Sequence, residues 1–93
     1  MEYKRVDASH ILVRLVPGEE IMTSLLKVAE KETIDFAMIQ GLGAVDEVVL
    51  GLYNVKTKEY TETKLEGIFE VISLTGTLDK GEHVAGTTEI AWF

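Results

Sequence analysis

A chain of 93 residues is the size of one small domain, and residues 1–93 are read as a single unit. The absence of cysteine excludes disulfides, thiolate chemistry and Cys-ligated zinc. Sixteen acidic against nine basic residues give a net charge of −7, with scattered cations whose closest grouping is Lys56, Lys58 and Lys64; this argues against direct nucleic-acid binding, which draws on Lys and Arg clustered at phosphates.

From the N-terminus, Met1 to Asp7 carries basic residues with no apolar run behind them, and no stretch approaches the roughly 18 apolar residues of a membrane helix. The expectation is a soluble, cytoplasmic protein without a targeting segment. Ile11 to Val16 is rich in β-branched residues and ends at Pro17-Gly18, which reads as a strand closed by a turn. Glu19 to about Lys31 has helical periodicity. Ile21, Met22, Leu25, Leu26, Val28 and Ala29 fall on one arc, and Glu19, Glu20, Thr23, Ser24, Lys27, Glu30 and Lys31 fill the other. Glu19 and Glu20 lie at the positive end of the macrodipole, Lys27 and Lys31 near the negative end.

Beyond the helix the pattern predicts Asp35 to Gln40 as a strand, Gly41-Leu42-Gly43-Ala44 as a bend, and Val48 to Tyr53 as a strand. Asn54 to Lys58 reads as a hairpin loop, Tyr60 to Leu65 as a polar edge strand, and Ile68 to Thr75 as a further strand. Asp79 to Glu82 reads as a turn, and Thr87 to Phe93 as the closing strand. The fold class expected is α+β, an antiparallel or mixed sheet with one amphipathic helix packed on it.

Several strands lack the alternation of a sheet with one wet face. Val48, Leu50 and Leu52 oppose Val49 and Tyr53; Phe36 and Met38 oppose Ala37 and Ile39; Ile90 and Trp92 oppose Phe93. One helix covers one face. The other face needs either a sheet curled on itself or a second subunit, and exposed apolar patches favour the subunit.

Evidence for catalysis is lacking. Gly41-Leu42-Gly43 has neither the third glycine and helix of a dinucleotide fingerprint nor a Gly-Lys-Ser/Thr. His10 and His83 stand far apart with no metal-ligand spacing. The pairs Glu19-Glu20 and Asp46-Glu47 are adjacent residues that point in different directions, and Ser9, Ser24 and Ser73 have no histidine at an interpretable spacing. No catalytic residue is assigned.

Arg14-Leu15-Val16-Pro17-Gly18-Glu19-Glu20, the helix after it, Gln40 to Val45, Leu50 to Tyr53, and Glu66 to Gly76 stand in an order and spacing that resembles the PPC domain ("plants and prokaryotes conserved"). In plants this domain is joined to AT-hook DNA-binding motifs. The resemblance implies an α+β fold and a homotrimer. It implies that Gly67-Ile68-Phe69-Glu70-Val71-Ile72 corresponds to a Gly-Arg-Phe-Glu-Ile-Leu segment that contacts partner proteins in plant members, with Gly67, Phe69 and Glu70 retained and the arginine replaced by Ile68. The other reading of the stretch is a core strand with Glu70 as its one charge.

The departures are an absent Arg-Gly-Arg-Pro hook and an absent His-x-His and Gly-Gly-His cluster, which in prokaryotic members is thought to bind a metal such as zinc. Between Gly76 and Gly86 the chain is shorter than the family pattern by roughly 20–30 residues, judged from strand and loop lengths. Only His83 is left as a remnant, so no metal site is carried over. The expectation is a self-associating regulatory or interaction module; the alternative is a metal-dependent small-molecule binder or enzyme with its site between subunits.

Overall fold

The computed structural model describes residues 1–79 with their side chains and residues 83–92 as backbone. In chain order the elements are β1 (Glu2–Arg5), β2 (Ile11–Arg14), α1 (Ile21–Glu32), β3 (Phe36–Asn54), β4 (Glu59–Asp79) and β5 (His83–Trp92). They form a two-stranded sheet, β1-β2, and a three-stranded sheet of order β3-β4-β5, both antiparallel, so the α+β class holds. Contacts divide the chain into two units, Met1–Ile39 with Gly76–Gly86, and Gln40–Thr75 with Thr87–Phe93.

In the first unit β1 and β2 pair with Glu2 opposite Arg14 and Arg5 opposite Ile11. β1 is polar and has no apolar alternation of its own; its partner strand specifies it. β2 stops at Arg14, two residues earlier than expected. The chain then turns at Val16 to Glu19, where Glu19 N–H donates to Val16 C=O at 3.2 Å. Gly18 sits at φ +96° behind Pro17, the positions a type II turn asks of these two residues.

Helix α1 begins two residues later than predicted because Glu20 is its N-cap: the carboxylate accepts from Thr23 N–H at 3.1 Å. Its buried arc is rotated from the predicted one. Ser24 is buried beside Val28 and Ala29, while Met22 is 52% exposed. Burial of the hydroxyl is tolerated because Ser24 Oγ donates to Glu20 C=O at 2.6 Å. The helix ends at Thr33, whose N–H faces the Ala29 and Glu30 carbonyls, and Ile34 N–H closes on Ala29 C=O at 2.9 Å. Thr33 holds φ 53°, ψ 50°, the left-handed conformation that glycine usually supplies at this place.

The three-stranded sheet differs from the sequence reading in continuity. The predicted pair of strands with a Gly-Leu-Gly bend is one 19-residue strand, β3, and the two predicted strands 60–65 and 68–75 are one 21-residue strand, β4. The glycines mark local backbone adjustments instead of turns: Gly43 lies at φ +142° within β3 and Gly67 at φ +148° within β4. At Gly41 a Cβ would stand 3.3 Å from the Leu74 side chain, so the missing side chain admits that close approach. Residues 60–65 open β4, the strand between β3 and β5 in the sheet order, and β5, at ten residues, is less than half as long as the 21-residue β4.

The β3–β4 hairpin forms as predicted. Asn54 Oδ1 accepts from the N–H groups of Lys56 (2.9 Å) and Thr57 (3.3 Å), and Lys58 N–H returns to Asn54 C=O at 2.7 Å. The predicted turn 79–82 lies, beyond Asp79, outside the described residues.

Buried apolar side chains are few among the described residues. Val28, Ala29 and Leu78 serve the first unit, Phe69 and Val71 the second. Large apolar side chains are exposed in greater number, among them Phe36 (64%), Met38 (84%), Leu42 (93%) and Leu52 (73%). Phe36 and Met38 face solvent while Ala37 and Ile39 are half-buried, the opposition predicted from the pattern. Among the described residues no helix is long and apolar enough to cross a membrane.

Candidate interaction surface

Strand β4 carries a regular two-faced segment. From Ile68 to Ile72 exposure alternates residue by residue, as the period of two in a strand requires. Phe69 (2%) and Val71 (7%) point inward, and Ile68 (64%), Glu70 and Ile72 (60%) point out. Of the three residues singled out from the sequence, Gly67 supplies a positive φ, Phe69 is core, and Glu70 is surface. The outward stripe also contains Ile68 and Ile72, which sequence pattern alone assigned to a core strand. The signal for them was present in the alternation around Glu70.

Next to the stripe, Lys64 Nζ lies 3.4 Å from Glu47 and 3.3 Å from Glu66. These two carboxylates raise the Lys64 amine above its ordinary value, Glu66 contributing most. One of the three grouped lysines is thereby neutralised, and two carboxylates around one ammonium leave the place net negative. Lys56 and Lys58 stand apart at the hairpin tip with exposed Leu52, Tyr53, Val55 and Tyr60.

The remaining candidates do not assemble into a reaction centre. In the β1–β2 loop, Asp7, Ser9 and His10 come together. Asp7 Oδ1 lies 2.9 Å and Ser9 Oγ 3.1 Å from His10, both at Nδ1. A proton relay needs its carboxylate and its nucleophile on opposite ring nitrogens, so this exposed cluster is a loop brace. Ser9 N–H, chiefly, and His10 hold the Asp7 carboxyl below its ordinary range. Glu19 Oε1 accepts from Val16 N–H at 2.8 Å and meets the terminal amine of Met1 at 2.9 Å, which lowers its pKa in that order of importance. Asp46 and Glu47 are exposed or tied to Lys64.

An open groove of about 420 Å³ runs beside the C-terminal end of α1, with Lys27, Glu30, Thr33, Asp35 and Asp79 on its walls. No group of three or more His, Asp or Glu is placed to hold a metal among the described residues. The side chain of His83 lies outside them. The donor set of a metal site is therefore not met by the described residues, and no chemistry is routed through one.

The model of the Plants and Prokaryotes Conserved (PCC) domain matches residues 2–91. The chain belongs to this family. Two solved structures show the same fold. A candidate DNA-binding protein from Bacteroides thetaiotaomicron superposes with a TM-score of 0.84 at 26% identity, over 98% of this chain and 65% of that one. A metal-containing protein from Archaeoglobus fulgidus superposes with a TM-score of 0.66 at 26% identity, over 87% of this chain and 69% of that one. The PCC domain described here thus spans less than two thirds of the first relative's length. No curated protein matches the sequence significantly.

Proposed function

We propose that this PCC domain is a cytoplasmic, self-associating interaction module, a homotrimer in its working form, and that the segment containing Gly67, Phe69 and Glu70 contacts a protein partner, which in the homotrimer is a second copy of this chain. The observation that carries the reading is the outward stripe Ile68, Glu70 and Ile72, together with the bare apolar positions Leu42 and Leu52 on β3. Apolar surface of this extent on a small protomer is the usual mark of an interface. A second support is the thin core: a chain of this size buries a limited share of its surface, and assembly is one of the few remedies open to a chain without disulfides.

Within this reading Phe69 holds the strand in place and Glu70 with its flanking isoleucines makes the contact. The assignment of a relative to DNA binding does not extend easily to this surface. The domain carries a net charge of −7 and its Lys64 is already paired with two carboxylates. Sedimentation equilibrium tests the proposal. A species heavier than the 10.3 kDa protomer supports it, and a monomer at tens of micromolar ends it.

The metal-containing relative favours a second reading, a small-molecule site completed between subunits. Metal analysis of the purified protein separates the two: stoichiometric metal that is lost in His83→Ala favours this second reading, and metal at trace level removes it.

A further inference from the structure

We infer that the β3–β4 hairpin tip of one copy docks on the Ile68–Glu70–Ile72 stripe of a neighbouring copy. The inference rests on the self-association proposed above and names the two surfaces that would meet. The tip is basic and apolar: Lys56 and Lys58 accompany exposed Leu52 and Val55, in a chain that is otherwise strongly acidic. The stripe is acidic and apolar: Glu70 lies between Ile68 and Ile72. Among the described residues the side chains of Lys56, Lys58 and Glu70 make no ion pair or hydrogen bond.

The two surfaces cannot satisfy each other within one chain. Glu70 lies along β4 from Lys58 at the tip by a run of residues worth roughly 40 Å at 3.3 Å per residue. A lysine side chain covers a small fraction of that. A second copy removes the mismatch, since it offers a stripe to the first copy's tip. Contact between two different patches is heterologous, and such contacts close into rings when the rotation allows. Complementary charge would set the register of the contact, and the isoleucines with Leu52 and Val55 would supply buried apolar area.

The test is charge reversal read by sedimentation. The pair Lys56→Glu with Lys58→Glu, and separately Glu70→Lys, each weaken self-association by about tenfold or more, because each sets like charges opposite one another. The triple variant carrying all three changes recovers an association constant within about threefold of wild type, which a fold defect would not allow. An assembled wild type with an indifferent Lys56→Glu/Lys58→Glu variant, or a triple variant as weak as its parents, overturns this inference alone. A monomeric wild type overturns it together with the self-association reading.

Discussion

The phenol ring of Tyr60 lies over Gly51, so that a Cβ at position 51 would occupy space the ring already fills. An aromatic side chain covering a strand glycine across a hairpin restores contacts that the glycine lacks, and here it ties β4 to β3 close to the turn. Gly51→Ala expels the ring and is expected to cost about 1 kcal/mol, since Tyr60 is 61% exposed and has room to move. In Gly51→Ala/Tyr60→Ala the second change adds less than it does alone. Thermal melts of the four proteins check this, and additive effects would show that the two residues do not interact.

Thr33→Gly should stabilise the protein. A β-branched residue at φ 53° is strained, and glycine adopts that conformation without a Cβ penalty. After the extra freedom glycine has in the unfolded chain, a gain of about 1 kcal/mol remains. In a domain of this size that raises Tm by roughly 4–8 °C. A lower Tm would mean that Thr33 is held by contacts that glycine cannot replace.

Phe69 and Glu70 are neighbours with opposite roles. Phe69→Ala opens a cavity in a small core and costs about 3–5 kcal/mol, comparable with the whole stability of a marginal domain. Glu70→Ala changes a side chain that is exposed on the protomer and, at a concentration dilute enough to leave the protein monomeric, leaves the melt within about 0.5 kcal/mol of wild type. Circular dichroism on heating distinguishes them; a stable Phe69→Ala protein would contradict the burial of that ring.

The titration of three exposed groups follows from their partners. Asp7 and Glu19 are lowered from 3.8 and 4.5, so their contributions are present above those values and fade as pH falls through the lower folded-state values. Lys64 is raised from 10.5, so its contribution is present below that value and fades as pH rises past it. Carboxyl-detected NMR should give Asp7 and Glu19 midpoints below their ordinary values, and removing His10 should move Asp7 part of the way back. Unshifted midpoints would show that the loop hydrogen bonds do not persist in solution.

Much of the fold was legible because its signals are local. The helix, the Pro17-Gly18 turn and the Asn54 hairpin each depend on residues within a few positions of one another. β1 was missed because Glu2 to Arg5 has no pattern of its own and is a strand only by pairing with β2. Gly43 was read as part of a bend and Gly67 fell between two predicted strands, yet here each carries a positive φ inside a continuing strand, a distinction set by the sheet around it. Met22 and Ser24 exchanged places on the helix because the hydroxyl found the Glu20 carbonyl, a bond that apolar periodicity does not register. At the surface site, Glu70 was visible as a lone charge in an apolar run. Ile68 and Ile72 share its face by the period of two, but their apolar character assigned them to a core strand, because which face is covered depends on neighbours far away in the chain.

The mass of the wild-type protein in solution, measured by light scattering coupled to size exclusion and compared with Ile68→Asp/Ile72→Asp, tests the account most directly. It predicts three times the 10.3 kDa protomer for wild type, falling to 10.3 kDa when the two isoleucines are charged. A wild type that elutes and scatters as 10.3 kDa would contradict it.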